Sequence, residues 1–143
     1  MRIVPARANN EAAIKRLLES ASLPTADISA KSLEHFLVCL EGAEITGVVG
    51  LDLIGGIALL RSLAVTKSFR RCGIANDLVQ AAEALAQTCA VTDIYLLTTT
   101  AHQYFAARGY RKLERSAAPA AVQQTPQFNS LCPSSSVLML TSL

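Results

Sequence analysis

A chain of 143 residues, 51% hydrophobic and 17% charged, has the make-up of a globular domain, not a disordered tail. A formal net charge of +2 is too small for a nucleic-acid surface, although an Arg-Arg pair makes a local positive spot suited to a small anion. The longest apolar runs are too short or too interrupted to span a bilayer and the start lacks an apolar signal core, so the expectation is a soluble cytoplasmic protein.

No repeat or linker divides the chain, and a single domain over residues 1–143 is expected. "MRIVPA" opens as a short strand. "NNEAAIKRLLESA" offers an Asn cap, an acidic first turn and Ile14, Leu17 and Leu18 at helical spacing, which predicts the first helix. After the turn-rich "LPTADISAKS", the segment "EHFLVCLEGAEITGVVGLDLIGGIALLRSLAV" reads as three antiparallel strands. Their turns fall near Glu41-Gly42 and Gly55-Gly56.

From Gly73 to Cys89, Ile74, Leu78, Ala81, Ala82, Leu85 and Cys89 recur every three to four positions, opposite Asn76, Gln80, Glu83 and Gln87. That spacing predicts a long amphipathic helix. "DIYLLTTT" is a strand buried on both faces, and "AHQYFAAR" a short helix stopped by Gly109. "YRKLERS" and "SSSVLMLTSL" supply two last strands. The connection between them, "AAPAAVQQTPQFNSLCP", is long enough to carry function or a little local helix. The order β-α-β-β-β-α-β-α-β-β describes an α/β fold, a mixed and mostly antiparallel sheet flanked by helices. One strand-helix-strand crossover spans 57–100.

Cys39, Cys72, Cys89 and Cys132 are scattered, with no C-x-x-C pair and no histidine at ligand spacing, so reduced thiols and no metal are expected. The informative stretch is "LLRSLAVTKSFRRCGIANDLVQAAEALA", where Arg70, Arg71 and Gly73 stand between a strand and a helix. The first helical amides lack partners and carry the positive end of the helix dipole, and a glycine lets a phosphate approach the backbone. Turn chemistry alone would also account for that glycine.

The order Arg70-x-x-Gly73-x-Ala75, set between strand and helix, resembles the pyrophosphate loop of the GNAT family of N-acetyltransferases, written Gln/Arg-x-x-Gly-x-Gly/Ala. The element order resembles that family as well. A narrower resemblance, carried by "LLRSLAV" and by "YLLTTTAHQYFAARGYRKLERSAAPAAVQQTPQFNSLCPSSSVLM", is to small N-acetyltransferases of arsenic-resistance operons. "RSLAV" and "LLTTT" are also similar to the acetyltransferase domain of N-acetylglutamate synthases.

The resemblance implies acetyl-CoA as donor, its pantetheine arm along Leu63, Ala64 and Val65 and its pyrophosphate on Arg70, Arg71, Cys72, Gly73, Ile74 and Ala75. The thioester would lie near Leu63 and Thr98, where two strands splay. The acceptor implied is a small amine, amino-acid-like or an arsenical. A homodimer through the last strand and the loop before it is also implied.

Direct attack by the amine requires an oxyanion donor and a proton for the departing thiolate. The backbone amide of Leu63 or Val65 is the family-like oxyanion donor. A cysteine-acetyl route through Cys72 or Cys132 is the lesser alternative. Where the family commonly has a tyrosine acid this chain has Phe105, so Tyr104, one residue earlier, is the candidate acid. Asp52 and His102 are the bases reachable through water, and His35 is expected to be structural. Arg61, on the face expected to carry Leu59, Leu63 and Val65, either pairs with a neighbouring strand through Asp52 or grips an acceptor carboxylate. Thr98 and Thr99 line the acceptor side. Synthase relatives have a basic residue and a serine near the final strand, where this chain reads "CPSSSVLM", so selection of glutamate is not implied. Against the enzyme stand a non-catalytic acyl-CoA-binding module and a structural or partner-binding domain.

Overall fold

The computed structural model describes every residue, Met1–Leu143. Seven strands, β1 (Arg2–Pro5), β2 (Phe36–Glu41), β3 (Glu44–Ile54), β4 (Ile57–Val65), β5 (Asp93–Thr98), β6 (Arg111–Leu113) and β7 (Val137–Ser142), form one sheet in the order β1-β2-β3-β4-β5-β7-β6. Every neighbouring pair is antiparallel except β4 and β5. That parallel pair is joined by the expected crossover helix. The helices are α1 (Glu11–Ser20), α2 (Ile74–Thr88), α3 (His102–Ala107) and α4 (Ala120–Gln123). α4 is the local helix within the long β6–β7 connection. No helix is long and apolar enough to cross a membrane.

Strand alternation divides the core between the two faces of the sheet. Leu37, Cys39, Val49 and Leu51 face α2, meeting Ile74, Leu78 and Ala82, while Phe36, Val38 and Val48 face α1, meeting Ile14, Leu17 and Leu18. A third cluster, on the α1 face, joins Leu59, Tyr95 and Leu138 to Val122 of α4. β7 lies between β5, which pairs with its whole length, and β6, which pairs with Leu138–Leu140.

Two irregularities in the middle of the sheet position everything that follows. Gly50 pairs with Phe36 on one side and with Arg61 on the other. A Cβ at Gly50 would stand 2.4 Å from the Phe36 ring, so only glycine lets that ring lie over the strand. The ring then comes beneath the Arg61 guanidinium, 5.6 Å from ring centroid to Cζ.

The second irregularity is a bulge in β4. Arg61 opposes Gly50 and Ala64 opposes Val48, so Ser62 and Leu63 together face Val49, and Ser62 adopts a left-handed backbone with φ 58°. The extra residue inverts the alternation. Leu59 and Arg61 point to the α1 face, but Leu63 and Val65 pack on the α2 side and Ala64 joins the α1 cluster. The expectation that Arg61 shares a face with Leu63 and Val65 is therefore corrected. A serine in a left-handed turn inside a strand has no signature in composition or periodicity.

Gly50→Ala is expected to cost about 1–3 kcal/mol by overpacking. Urea unfolding measures it, and the cost should be less than additive with Phe36→Leu, since the two changes share one contact.

Candidate active site

The site begins where β4 and β5 part. Their pairing runs from Ile57 and Asp93 to Leu60 and Leu96. Beyond it Leu97 and Thr98 continue with β7, while Ala64 and Val65 stay with β3. The bulge falls at the parting, and a cavity of about 220 Å³ occupies the opening. Arg61, Leu63, Thr98 and Thr99 line it, with Phe105 of α3. Ser22–Pro24, after α1, and Gln127, Cys132 and Ser136, before β7, complete the wall. Thr98 also orders the turn into α3, its hydroxyl accepting from the Ala101 amide at 3.0 Å.

The second part is the turn into α2. Arg71 and Gly73 are both left-handed, φ 66° and 80°. The amides of Arg71 through Asn76 donate to no acceptor within the chain, because the first helical turn has none and no side chain caps it. A run of free amides at the head of a 15-residue helix is a nest for an anion. Nothing lies within 4 Å of where a Gly73 Cβ would stand, so the concavity is open. Arg70 ties the loop to β4, its Nε donating to the Val65 carbonyl at 3.2 Å. Cys72 is exposed in the same loop.

Arg61 is the most constrained polar residue, its side chain only 3% exposed. Nη1 and Nη2 donate to the two oxygens of Asp27 at 2.5 and 2.6 Å, Nη1 also donates to Asp52 Oδ2 at 3.1 Å, and Nε donates to Ser62 Oγ at 3.1 Å. These four bonds leave one of the five guanidinium N–H groups, on Nη2, unused. The forked grip expected for an acceptor carboxylate is held by Asp27. Burial works to raise the Asp27 carboxyl, yet the Arg61 fork, helped by the Gln127 side chain and the local backbone, outweighs it and holds the group below the usual carboxylate range. At Asp52 burial outweighs its single bond to Arg61, and the carboxyl is pushed up. Sequence reasoning named Asp52 but missed Asp27. It sits in a stretch that reads only as turns, 34 residues from Arg61, and no period or motif links the two.

The acid and base candidates fall elsewhere. Tyr104 is absent from the cavity wall, its hydroxyl donating to Asn76 Oδ1 of α2 at 3.4 Å, beside a network in which Arg108 and Tyr110 both bind Glu83. Burial raises the Tyr104 hydroxyl above the ordinary tyrosine value. Asp52 and His102 do not line the cavity, and His35 borders a shallow depression shared with Asp52. Cys132 does line it, its thiol raised by burial and donating to Gln127 Oε1 at 3.3 Å.

The two carboxylates on Arg61 should separate in a pH titration of stability. Asp27→Asn is expected to cost about 3 kcal/mol at neutral pH, by breaking a buried pair. Because the native carboxyl is held down, that contribution is present above its unfolded value and disappears as pH falls below about 4. Asp52 is raised, so its ionisation opposes folding above the carboxylate range. Asp52→Asn should leave stability at neutral pH unchanged or increased. Chemical denaturation at a series of pH values checks both.

With this geometry in view, residues 32–112 match the model of the acetyltransferase (GNAT) domain. No curated protein matches the chain by sequence. Among solved structures the chain is similar to a Mycobacterium tuberculosis protein in complex with CoA, at 18% identity and a TM-score of 0.84, covering 100% of this chain and 99% of that one. It is similar to N-acetylglutamate synthase from Neisseria gonorrhoeae complexed with coenzyme A and N-acetyl-glutamate, at 17% identity and a TM-score of 0.84, covering 99% of this chain and 35% of that one. A GNAT-family acetyltransferase from Staphylococcus aureus Mu50 has 17% identity and a TM-score of 0.77, covering 99% of this chain and 98% of that one. At these identities the likeness is one of fold. The family model covers more than half of the residues, from the strand before the bulge through the anion loop to β6, and the chain belongs to the GNAT acetyltransferase family.

Proposed function

We propose that this acetyl-CoA-dependent N-acetyltransferase acts on a small, amino-acid-like primary amine, by direct attack with both substrates bound. The observation that carries the donor half is the run of unpaired amides from Arg71 to Asn76 at the head of α2, flanked by the exposed Arg70 and Arg71. Six amides and two guanidiniums suit a pyrophosphate, which needs several donors and positive charge. Arg70, Arg71, Cys72, Gly73, Ile74 and Ala75 would hold it. Leu63, Ala64 and Val65 would align the arm along β4. When bound, acetyl-CoA supplies an activated thioester.

The chain's own residues then have limited work. The amide of Leu63 or Val65, at the bulged end of β4, donates to the carbonyl oxygen as negative charge builds on it. Thr98 and Thr99 border the acceptor. Arg61 acts through Asp27, pinning the segment that follows Ser22–Pro24 and so fixing that wall of the cavity. The thiolate proton comes from water, because Phe105 stands on the cavity side and the Tyr104 hydroxyl is engaged with Asn76. Raised as it is, the Cys132 thiol is a poor nucleophile, which favours direct attack over a cysteine-acetyl route. A toxic amino-acid analogue such as an arsenical is the acceptor suggested by the narrower resemblance. The reading takes residues 1–143 as one cytoplasmic domain that does not bind nucleic acid and that pairs as a homodimer.

A thiol-release assay over amino acids, their analogues and simple amines tests the reading, with calorimetry of acetyl-CoA beside it. CoA release that depends on an amine supports the enzyme. Binding without release supports an acyl-CoA-sensing module, and a folded protein that binds no acetyl-CoA supports a structural domain.

Two substitutions examine the parts. Gly73→Ala puts a Cβ on a left-handed residue at the head of the nest, and acetyl-CoA affinity should fall about tenfold. Tyr104→Phe should change kcat by less than about twofold. A loss of about a hundredfold with acetyl-CoA affinity intact would instead make Tyr104 the acid.

A further inference from the structure

Within β4, two residues stand outside the pairing of the sheet. Ile57 through Arg61 and then Ala64 and Val65 are matched with β3, and β5 is matched only as far as Leu60, so Ser62 and Leu63 have no partner on either side. Ser62 is also the one strand residue with a left-handed backbone, φ 58°. The other non-glycine residues of that conformation, Ser22, Arg71 and Ala90, lie in turns. Glycine adopts it freely, whereas a serine there is strained, and strained residues gather at functional sites.

The Ser62 side chain has a use for its position. It is half-buried and lines the cavity, and its Oγ accepts from Arg61 Nε at 3.1 Å while donating to no acceptor within the chain. A hydroxyl that accepts from a cation becomes a better donor through its own O–H, because the two bonds polarise each other. Arg61 is itself fixed by Asp27 and Asp52, so this contact comes from a side chain that does not wander. The result is a polarised O–H at the cavity wall with nothing in the protein to bind.

The amide that follows, on Leu63, is joined to the Ser62 hydroxyl through a short run of covalent bonds, so one oxygen atom set against the bulge accepts from both. No carboxylate side chain lines the cavity to compete for these donors. Donors fixed before reaction, in a half-enclosed site free of anions, suit an oxygen on which negative charge develops.

We infer that Ser62 is a catalytic residue, its hydroxyl donating to the acetyl carbonyl oxygen during transfer. This rests on the acetyl-transfer reading above and adds a side-chain donor to the backbone amide named there. As the amine nitrogen bonds to the carbonyl carbon, the carbonyl electron pair moves onto oxygen, which accepts from Ser62 Oγ and the Leu63 amide. The pair then returns, the carbon–sulfur bond breaks, the surplus proton on nitrogen passes to water and the CoA thiolate takes a proton from water. Ser62 keeps its own proton throughout.

Two substitutions separate the hydroxyl from the strain. Ser62→Ala and Ser62→Gly both remove the O–H, but only glycine relieves the left-handed backbone, so Ser62→Gly should have the higher urea midpoint of the two. In both, kcat should fall by at least about tenfold with acetyl-CoA affinity by calorimetry unchanged, since loss of one oxyanion donor costs about a hundredfold or more. A smaller fall in either variant, or a loss of acetyl-CoA affinity that accounts for it, overturns the assignment. If no amine releases CoA, the transfer reading fails separately, and the carbonyl stretching band of bound, isotope-labelled acetyl-CoA decides whether Ser62 meets that oxygen. A band below that of free acetyl-CoA that moves back toward it in Ser62→Gly sustains the contact, and a band that the substitution leaves in place overturns it. A folded protein that binds no acetyl-CoA overturns both.

Discussion

The bulge at Ser62–Leu63 is the constraint on which the rest of the molecule depends. One additional residue opposite Val49 turns the second half of β4 over, so the strand carries Arg61 toward α1 and Leu63 and Val65 toward α2. A regular strand would have kept its pairing with β5 beyond Leu60 and sealed the sheet. The bulged one leaves β5 to β7 and opens a cleft in the centre of the sheet. The loop of free amides and the cavity therefore sit at the end of the same strand.

Charge at this cleft is organised by burial. Arg61 is almost fully enclosed and has two carboxylates for one guanidinium, which it treats unequally. Asp27 receives a two-pronged contact and stays charged easily, whereas Asp52 receives one bond and is desolvated at a cost. The fork matters because it joins β4 to the segment between α1 and β2, which no strand pairing holds at that point. Phe36 completes the arrangement from below, and Gly50 makes room for it. A cation, an aromatic ring and an absent side chain thus stabilise one wall of the cavity together.

Much of this was legible residue by residue. The helix from Gly73 onward announces itself because its apolar positions repeat with the helical period over fifteen residues, and Arg70-x-x-Gly73-x-Ala75 marks its head because a nest needs a glycine beside free amides. The nearly continuous apolar run of β5 declares a strand covered on both sides. Arg61 was visible as an anomaly, a charge in an apolar strand, and the need for a partner follows from the cost of burying it. Asp27 was not visible, nor were Gln127 and Ser136. Each is an ordinary polar residue in a loop, and its meaning comes from what stands opposite, which for Asp27 is Arg61, thirty-four residues away.

By itself, the sequence determined the order of elements, the alternation that splits the core between two faces and the chemistry at the head of α2. All three depend on neighbours within a few residues, where periodicity and backbone freedom act. Only the tertiary structure decided which face Arg61 occupies, that Asp27 takes its fork, that Tyr104 turns to Asn76 while Phe105 borders the cavity, and that Gln127 and Ser136 meet there. Those outcomes hinge on a one-residue bulge and on loops closing across the sheet. A local pattern has no term for a register shift, and a hydrogen bond between distant residues exists only once the chain has brought them together.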